Sequence, residues 1–134
     1  MKPFVLESSM LTMGGVFYPT GHMFIMFPGA DQARQAAQAL IDDGTEGDAI
    51  SLLTPEVIQE HITRTVGNAD IPLPSAGTEA DTVRNYAQLA GQGHHALLVH
   101  APKAEQSDRV MEVLKDSGFS YAQKYRQLVI QDMA

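Results

Sequence analysis

The sequence predicts an α/β (α+β) fold in which a strand–helix–strand unit occurs twice and closes into one sheet. Three observations carry that prediction. Pro28-Gly29-Ala30-Asp31-Gln32 is answered by Pro102-Lys103-Ala104-Glu105-Gln106, and at the same offset Leu40, Asp42 and Gly44 are answered by Leu114, Asp116 and Gly118. The apolar runs ahead of both prolines are strand-length and nearly continuous, as in strands buried on both faces. The chain is 134 residues long, 44% hydrophobic and 19% charged, which suits one domain with a real core and argues against global disorder.

The elements follow in order. In Met1 to Gly21, the turn signals Gly14-Gly15 and Pro19-Thr20-Gly21 flank a short apolar stretch, Val16-Phe17-Tyr18. His22 to Phe27 is the first strand, ended by Pro28, which cannot donate to a ladder. Ala33, Ala36, Ala37, Leu40 and Ile41 then make one buried helical stripe, with Asp31 at the positive end of the dipole and Gly44 as the left-handed stop. Ala49 to Leu53 is the second strand. Thr54-Pro55-Glu56 opens a helix, with Thr as cap and Pro at the first helical position; Val57, Ile58 and Ile62 form its apolar side, with His61 beside them, and Gly67 closes it. Gly67 to Gly77, with Pro72 and Pro74, reads as a loop. Thr78 caps a further helix with the stripe Val83, Tyr86, Ala87 and Ala90, ending at Gly91-Gln92-Gly93. His95 to Val99 is the third strand. Val110, Met111, Val113 and Leu114 mark the last helix, and Arg126 to Ile130 is expected as the fourth strand.

Two such units in one small chain predict a ferredoxin-like split β-α-β sandwich. The expected strand order is 4-1-3-2, with the first and third strands central and antiparallel. The organisation is a single domain, 1–134: an N-terminal segment (1–21), the first unit (22–53), a helical insertion (54–93) and the second unit (94–134).

The helix pattern A-x-x-A-A-x-x-L followed by D-x-G (Ala33, Ala36, Ala37, Leu40, Asp42, Gly44) and then Asp48-Ala49-Ile50-Ser51-Leu52-Leu53-Thr54-Pro55-Glu56 resembles the bacterial general stress protein family of the YflT, heat-induced type. Gly93 to Met133 resembles the same family's C-terminal half. The resemblance implies a small cytoplasmic α/β protein with a stress-related role and brings no catalytic residues with it.

Composition excludes several function classes. The net charge of −7 argues against a cationic nucleic-acid binder and a polybasic membrane module. Without cysteine there is no disulfide, zinc ribbon, iron–sulfur cluster or thiol nucleophile. No apolar run approaches the ~20 residues that cross a bilayer, and Met1 to Glu7 carries no secretory-type apolar region, so a cytoplasmic protein is expected. No phosphate-loop or nucleophile-elbow motif occurs. Phe24 is the one central-strand aromatic that an RNA-binding sheet would use; Leu98 stands at its repeat-related position, so no nucleic-acid partner is expected.

The histidines are the main chemical signal. Alternation puts His22, Phe24 and Met26 on one face of the first strand, with Ala96, Leu98 and His100 sharing it on the third. Antiparallel pairing of the two strands makes His22 and His100 neighbours. The candidate ligand site is therefore His22, His100, Tyr18, Phe24 and Leu98. His22 and His100 are also a candidate metal pair, two ligands where a catalytic zinc site has three from the protein. His94 and His95 point to opposite faces and cannot chelate together. Asp42, Asp43, Glu46 and Asp48 read as a solvated acidic loop, since their spacing is not that of a calcium loop. Phe119, Tyr121 and Tyr125 precede the fourth strand, and Lys124 with Arg126 forms a small basic patch.

Phe24, Met26, Ala96 and Leu98 leave an apolar second face. It predicts coverage by the insertion helices and, for the rest, a homodimer. The resulting reading is a non-enzymatic regulatory or interaction module that binds an unidentified small molecule or partner on that face. The alternative is a small enzyme or metal-binding protein using His22 and His100. The cofactor is unknown.

Overall fold

The computed structural model describes residues 1–11, 15–66, 77–126 and 130–133. The chain is α+β, built on one mixed sheet. Its strands are β1 (Lys2–Pro3), β2 (His22–Phe27), β3 (Ile50–Leu53), β4 (His95–His100), β5 (Tyr121–Tyr125) and β6 (Ile130–Asp132). They lie in the order β1-β3-β4-β2-β5-β6, with β1 parallel to β3 and every other neighbouring pair antiparallel. β2 and β4 hold the centre because their apolar runs can be buried on both sides.

Met23, Ile25, Phe27, Leu97 and Val99 form the core of one face under helices α1 (Ala30–Asp42) and α4 (Ala104–Leu114). The small residues Ala33, Ala36 and Ala37 let α1 approach the sheet closely, and Leu40 fills the end of the stripe. α1 stops because Gly44 takes φ +110°, with its N–H donating to Ile41 O at 3.0 Å and the Thr45 N–H donating to Leu40 O at 2.9 Å. At α4, Lys103 is the cap residue, and Gln106 Oε1 accepts its N–H at 2.9 Å.

The second face is closed by the chain itself. Phe24, Met26 and Ala96 are 0% exposed and Leu98 is 3%. Over them lie Val16, Phe17 and Tyr18, the helix that starts at α2 (Pro55–Val57), and α3 (Gly77–Gly91). Tyr86 of α3 stacks on Phe24 with ring centroids 3.9 Å apart. Its hydroxyl shares a 2.8 Å hydrogen bond with that of Tyr125, which satisfies a buried phenol. Thr54 Oγ1 accepts the Val57 N–H at 3.2 Å, a cap of the kind worth about 1 kcal/mol. The apolar face that called for a second subunit is therefore absent from the surface. Phe24 is also withdrawn from any ligand.

Other expectations are corrected. The strand after α4 is β5, not Arg126 to Ile130; of that span, 127–129 lie outside the described residues. Gln123 and Lys124 look polar in the sequence, yet both are 4% exposed. Lys124 Nζ donates to Ser107 Oγ at 2.7 Å and to Lys103 O at 3.3 Å, so it is no part of a basic surface patch. Helix α3 begins at Gly77, which puts Thr78 inside it instead of at its cap. His61 is not on the apolar side: its side chain is 53% exposed, 3.8 Å from Glu60. After α2 the helix widens into a π turn, Ile58–Ile62, which carries Ile58 and Ile62 inward and turns His61 out. The expected loop and the Gly67 stop fall in 67–76, outside the described residues.

Candidate functional site

β2 begins where β4 ends, and the register sets His22 opposite His100. The ring centroids are 4.8 Å apart. The next row inward runs Lys2, Ser51, Leu98 and Phe24 across β1, β3, β4 and β2. The covering helices sit over the far part of this face. At the histidine end the cover is the N-terminal strap instead, and a cavity of about 560 Å³ remains there. His22, His100, Leu98 and Ser51 line it from the sheet, Lys2 to Val5, Glu7 and Met10 from the strap, and Glu46, Asp48 and Ala49 from the loop between α1 and β3.

The half-buried His22 ring places Nδ1 3.1 Å from Thr20 O. A carbonyl only accepts, so Nδ1 carries the proton in that bond, and in the neutral ring Nε2 then keeps its lone pair. Burial lowers the pKa of His22 below its ordinary value of 6.5, against the upward pull of the Thr20 carbonyl, and neighbouring His100 lowers it further. The site is thus built around a neutral imidazole with one accepting nitrogen. The cavity wall also carries three exposed carboxylates, Glu7, Glu46 and Asp48, with the Lys2 ammonium, whose charge reaches His22 and lowers its pKa, and with the Met1 amino group beside Gly47. The arrangement can accept hydrogen bonds and attract positive charge, with Leu98, Phe4 and Met10 as apolar walls.

Of the sequence-predicted site, His22, His100 and Leu98 come together. Tyr18 does not join them: it is 9% exposed, its hydroxyl donates to Arg126 O at 2.6 Å, and its ring packs on Tyr125 at 4.9 Å. Phe24 is sealed under Tyr86. Among the described residues no group of three or more His, Cys, Asp or Glu is placed to hold a metal ion. His94 sits at the far end of the sheet, Nδ1 2.8 Å from Ser120 Oγ, and His95 Nδ1 lies 3.2 Å from Gly93 O. Sequence reasoning missed the strap and treated Glu46 and Asp48 as loop only. Their wall-forming role depends on where β1 docks, for which the sequence carries no local signal. Among the described residues no helix is long and apolar enough to cross a membrane. No protein-family model, curated protein or solved structure matches the chain.

Proposed function

We propose that this protein is a non-enzymatic binding module of the general-stress-protein type that takes a small amphipathic amine at the His22/His100 end of its sheet. The observation that carries the reading is the cavity's combination of an accepting imidazole with carboxylates that outnumber the single lysine. An ammonium group donates hydrogen bonds and carries positive charge, while an alkyl tail suits Leu98, Phe4 and Met10. The stress role rests on the Ala33 to Glu56 motif. The ferredoxin-like assignment draws support from the inner strand order β3-β4-β2-β5, to which β1 and β6 are added at the edges. The apolar face on which the homodimer was expected, Phe24, Met26, Ala96 and Leu98, is buried within the chain. The metal or enzyme alternative has two imidazoles at 4.8 Å in its favour and stays short of the usual three protein ligands.

The test is an NMR titration with butylamine near neutral pH. Shifts confined to the His22 and His100 rings, Ser51 and Leu98, and lost in His22→Ala, are the expected result. An unresponsive cavity under saturating amine overturns the reading. Stoichiometric zinc that vanishes in His22→Ala and His100→Ala would favour the alternative instead.

A further inference from the structure

We infer that the N-terminal strap is an acid-sensitive latch: protons taken up by the His22/His100 pair drive β1 off β3 and open the cavity that the two rings line. The latch needs no ligand and stands apart from the amine reading.

The strap is held unevenly along its length. At its far end the Tyr18 N–H donates to Met10 O at 2.6 Å, and Leu11 bridges Phe17. Phe4 meets the Phe17 ring edge-on, with centroids 6.5 Å apart. Ahead of Phe4 the pairing is that of β1, two exposed residues set parallel to Ser51 and Leu52. One of the two, Pro3, has no N–H to donate. The first three residues can therefore lift while Phe4 to Leu11 stay docked.

The end that lifts carries charge of the same sign as a protonated imidazole. His22 and His100 are cross-strand partners with ring centroids 4.8 Å apart, and Lys2 lines the same cavity from β1. Burial lowers the pKa of His22, the Thr20 and Pro19 backbone pulls it back up, and the charges of His100 and Lys2 lower it further. Lifting β1 rehydrates the ring and takes Lys2 away, so the open strap leaves His22 the better base. Protons then shift the strap toward the open position, about tenfold for each unit by which the His22 pKa differs between the two positions.

The other charged groups around the pair leave that difference in place. The Met1 amino group, beside Gly47, moves with Lys2 and adds to the repulsion. Glu46 and Asp48 belong to the loop before β3 and face the cavity with the strap open or closed. Glu7 lies in the docked part of the strap and also stays. On the other side of His100, Glu105 and the Arg109–Asp43 pair line a separate cleft that the strap does not touch.

The test follows cross-strand NOEs by NMR on the full chain from about pH 7.5 to about pH 5.5, across which a histidine changes charge. NOEs between Lys2 and Ser51 and between Pro3 and Leu52 should be lost reversibly, while those between Met23 and Val99 persist. The double variant His22→Gln/His100→Gln should keep the β1–β3 NOEs throughout. Lys2→Met, which leaves both rings in place, should keep more of the surrounding β1–β3 signal at the acid end than the wild type does. Wild-type NOEs that persist at the acid end overturn the latch. Equal loss in the double variant overturns it too, because the carboxylates would then drive the opening. Loss of the Met23–Val99 NOEs in step with those of β1 means global unfolding and rejects a latch. If Lys2→Met opens as the wild type does, the repulsion is absent and the inference falls, whether or not the double variant folds.

Discussion

His22 shows how one side chain combines a structural and a chemical role. Its Nδ1–H is held by Thr20 O, and burial lowers its pKa, so the fold favours the neutral ring. A group whose folded pKa lies below its unfolded value gives stability that is complete above the unfolded value and is lost as pH falls through the folded one. Here that window opens below 6.5. Urea unfolding as a function of pH should therefore show stability falling on acidification through this range. His22→Gln should flatten that segment of the curve; an unchanged slope would mean that the ring titrates alike in both states. The His22/His100 pairing was legible in the sequence because strand alternation sets the face of each ring and antiparallel pairing of the two apolar runs brings the start of one beside the end of the other. Tyr18 was not, because its hydroxyl partner, Arg126 O, is distant in sequence.

Among the elements, the N-terminal strap forms one wall of the candidate cavity. β1 is two residues long, and one of them, Pro3, has no N–H to give the β3 edge. Phe4, Leu6 and Met10 pack against the core only in part, while Val5 is 65% exposed. Such a segment opens at low free-energy cost and so can gate the cavity it walls. The chain has no cysteine, and Lys2 and Ser51 are cross-strand partners, so a Lys2→Cys/Ser51→Cys variant can be locked by one disulfide. Oxidation should slow diethyl pyrocarbonate modification of His22 several-fold, with exposed His61 as internal reference. Equal rates in oxidised and reduced protein would show that the strap does not gate the cavity. The sequence predicted α1 and the stripe of α4 well, since an apolar stripe and the Gly44 stop are local signals, whereas α4 ends at Leu114, ahead of the expected Gly118 stop. It misplaced the last strand because β5 buries Gln123 and Lys124, and a local reading gives polar residues no reason to be inside.

For the whole molecule, the decisive fact is that the insertion and the N-terminal segment close the second face. Phe24, stacked under Tyr86 and fully buried, makes this measurable. Phe24→Ala should cost about 3–5 kcal/mol in urea unfolding, the range for an aromatic removed from a core. A loss below about 1 kcal/mol would mean that the side chain is not packed there, since surface substitutions fall in that range. Lys124 belongs to the same scale: it lies beneath α4 with hydroxyl and carbonyl partners, and burial lowers its pKa.

The sequence by itself determined the first strand–helix–strand unit, the leading strand and helix of the second, the antiparallel meeting of the two leading strands and the juxtaposition of His22 with His100. These follow from periodicity, caps and turn residues, which act over a few neighbours. Only the tertiary structure decided what covers the second face, which carboxylates wall the cavity and which polar side chains lie inside. Those outcomes depend on surfaces brought together from opposite ends of the chain, where burial and charge are set by partners that no local pattern encodes.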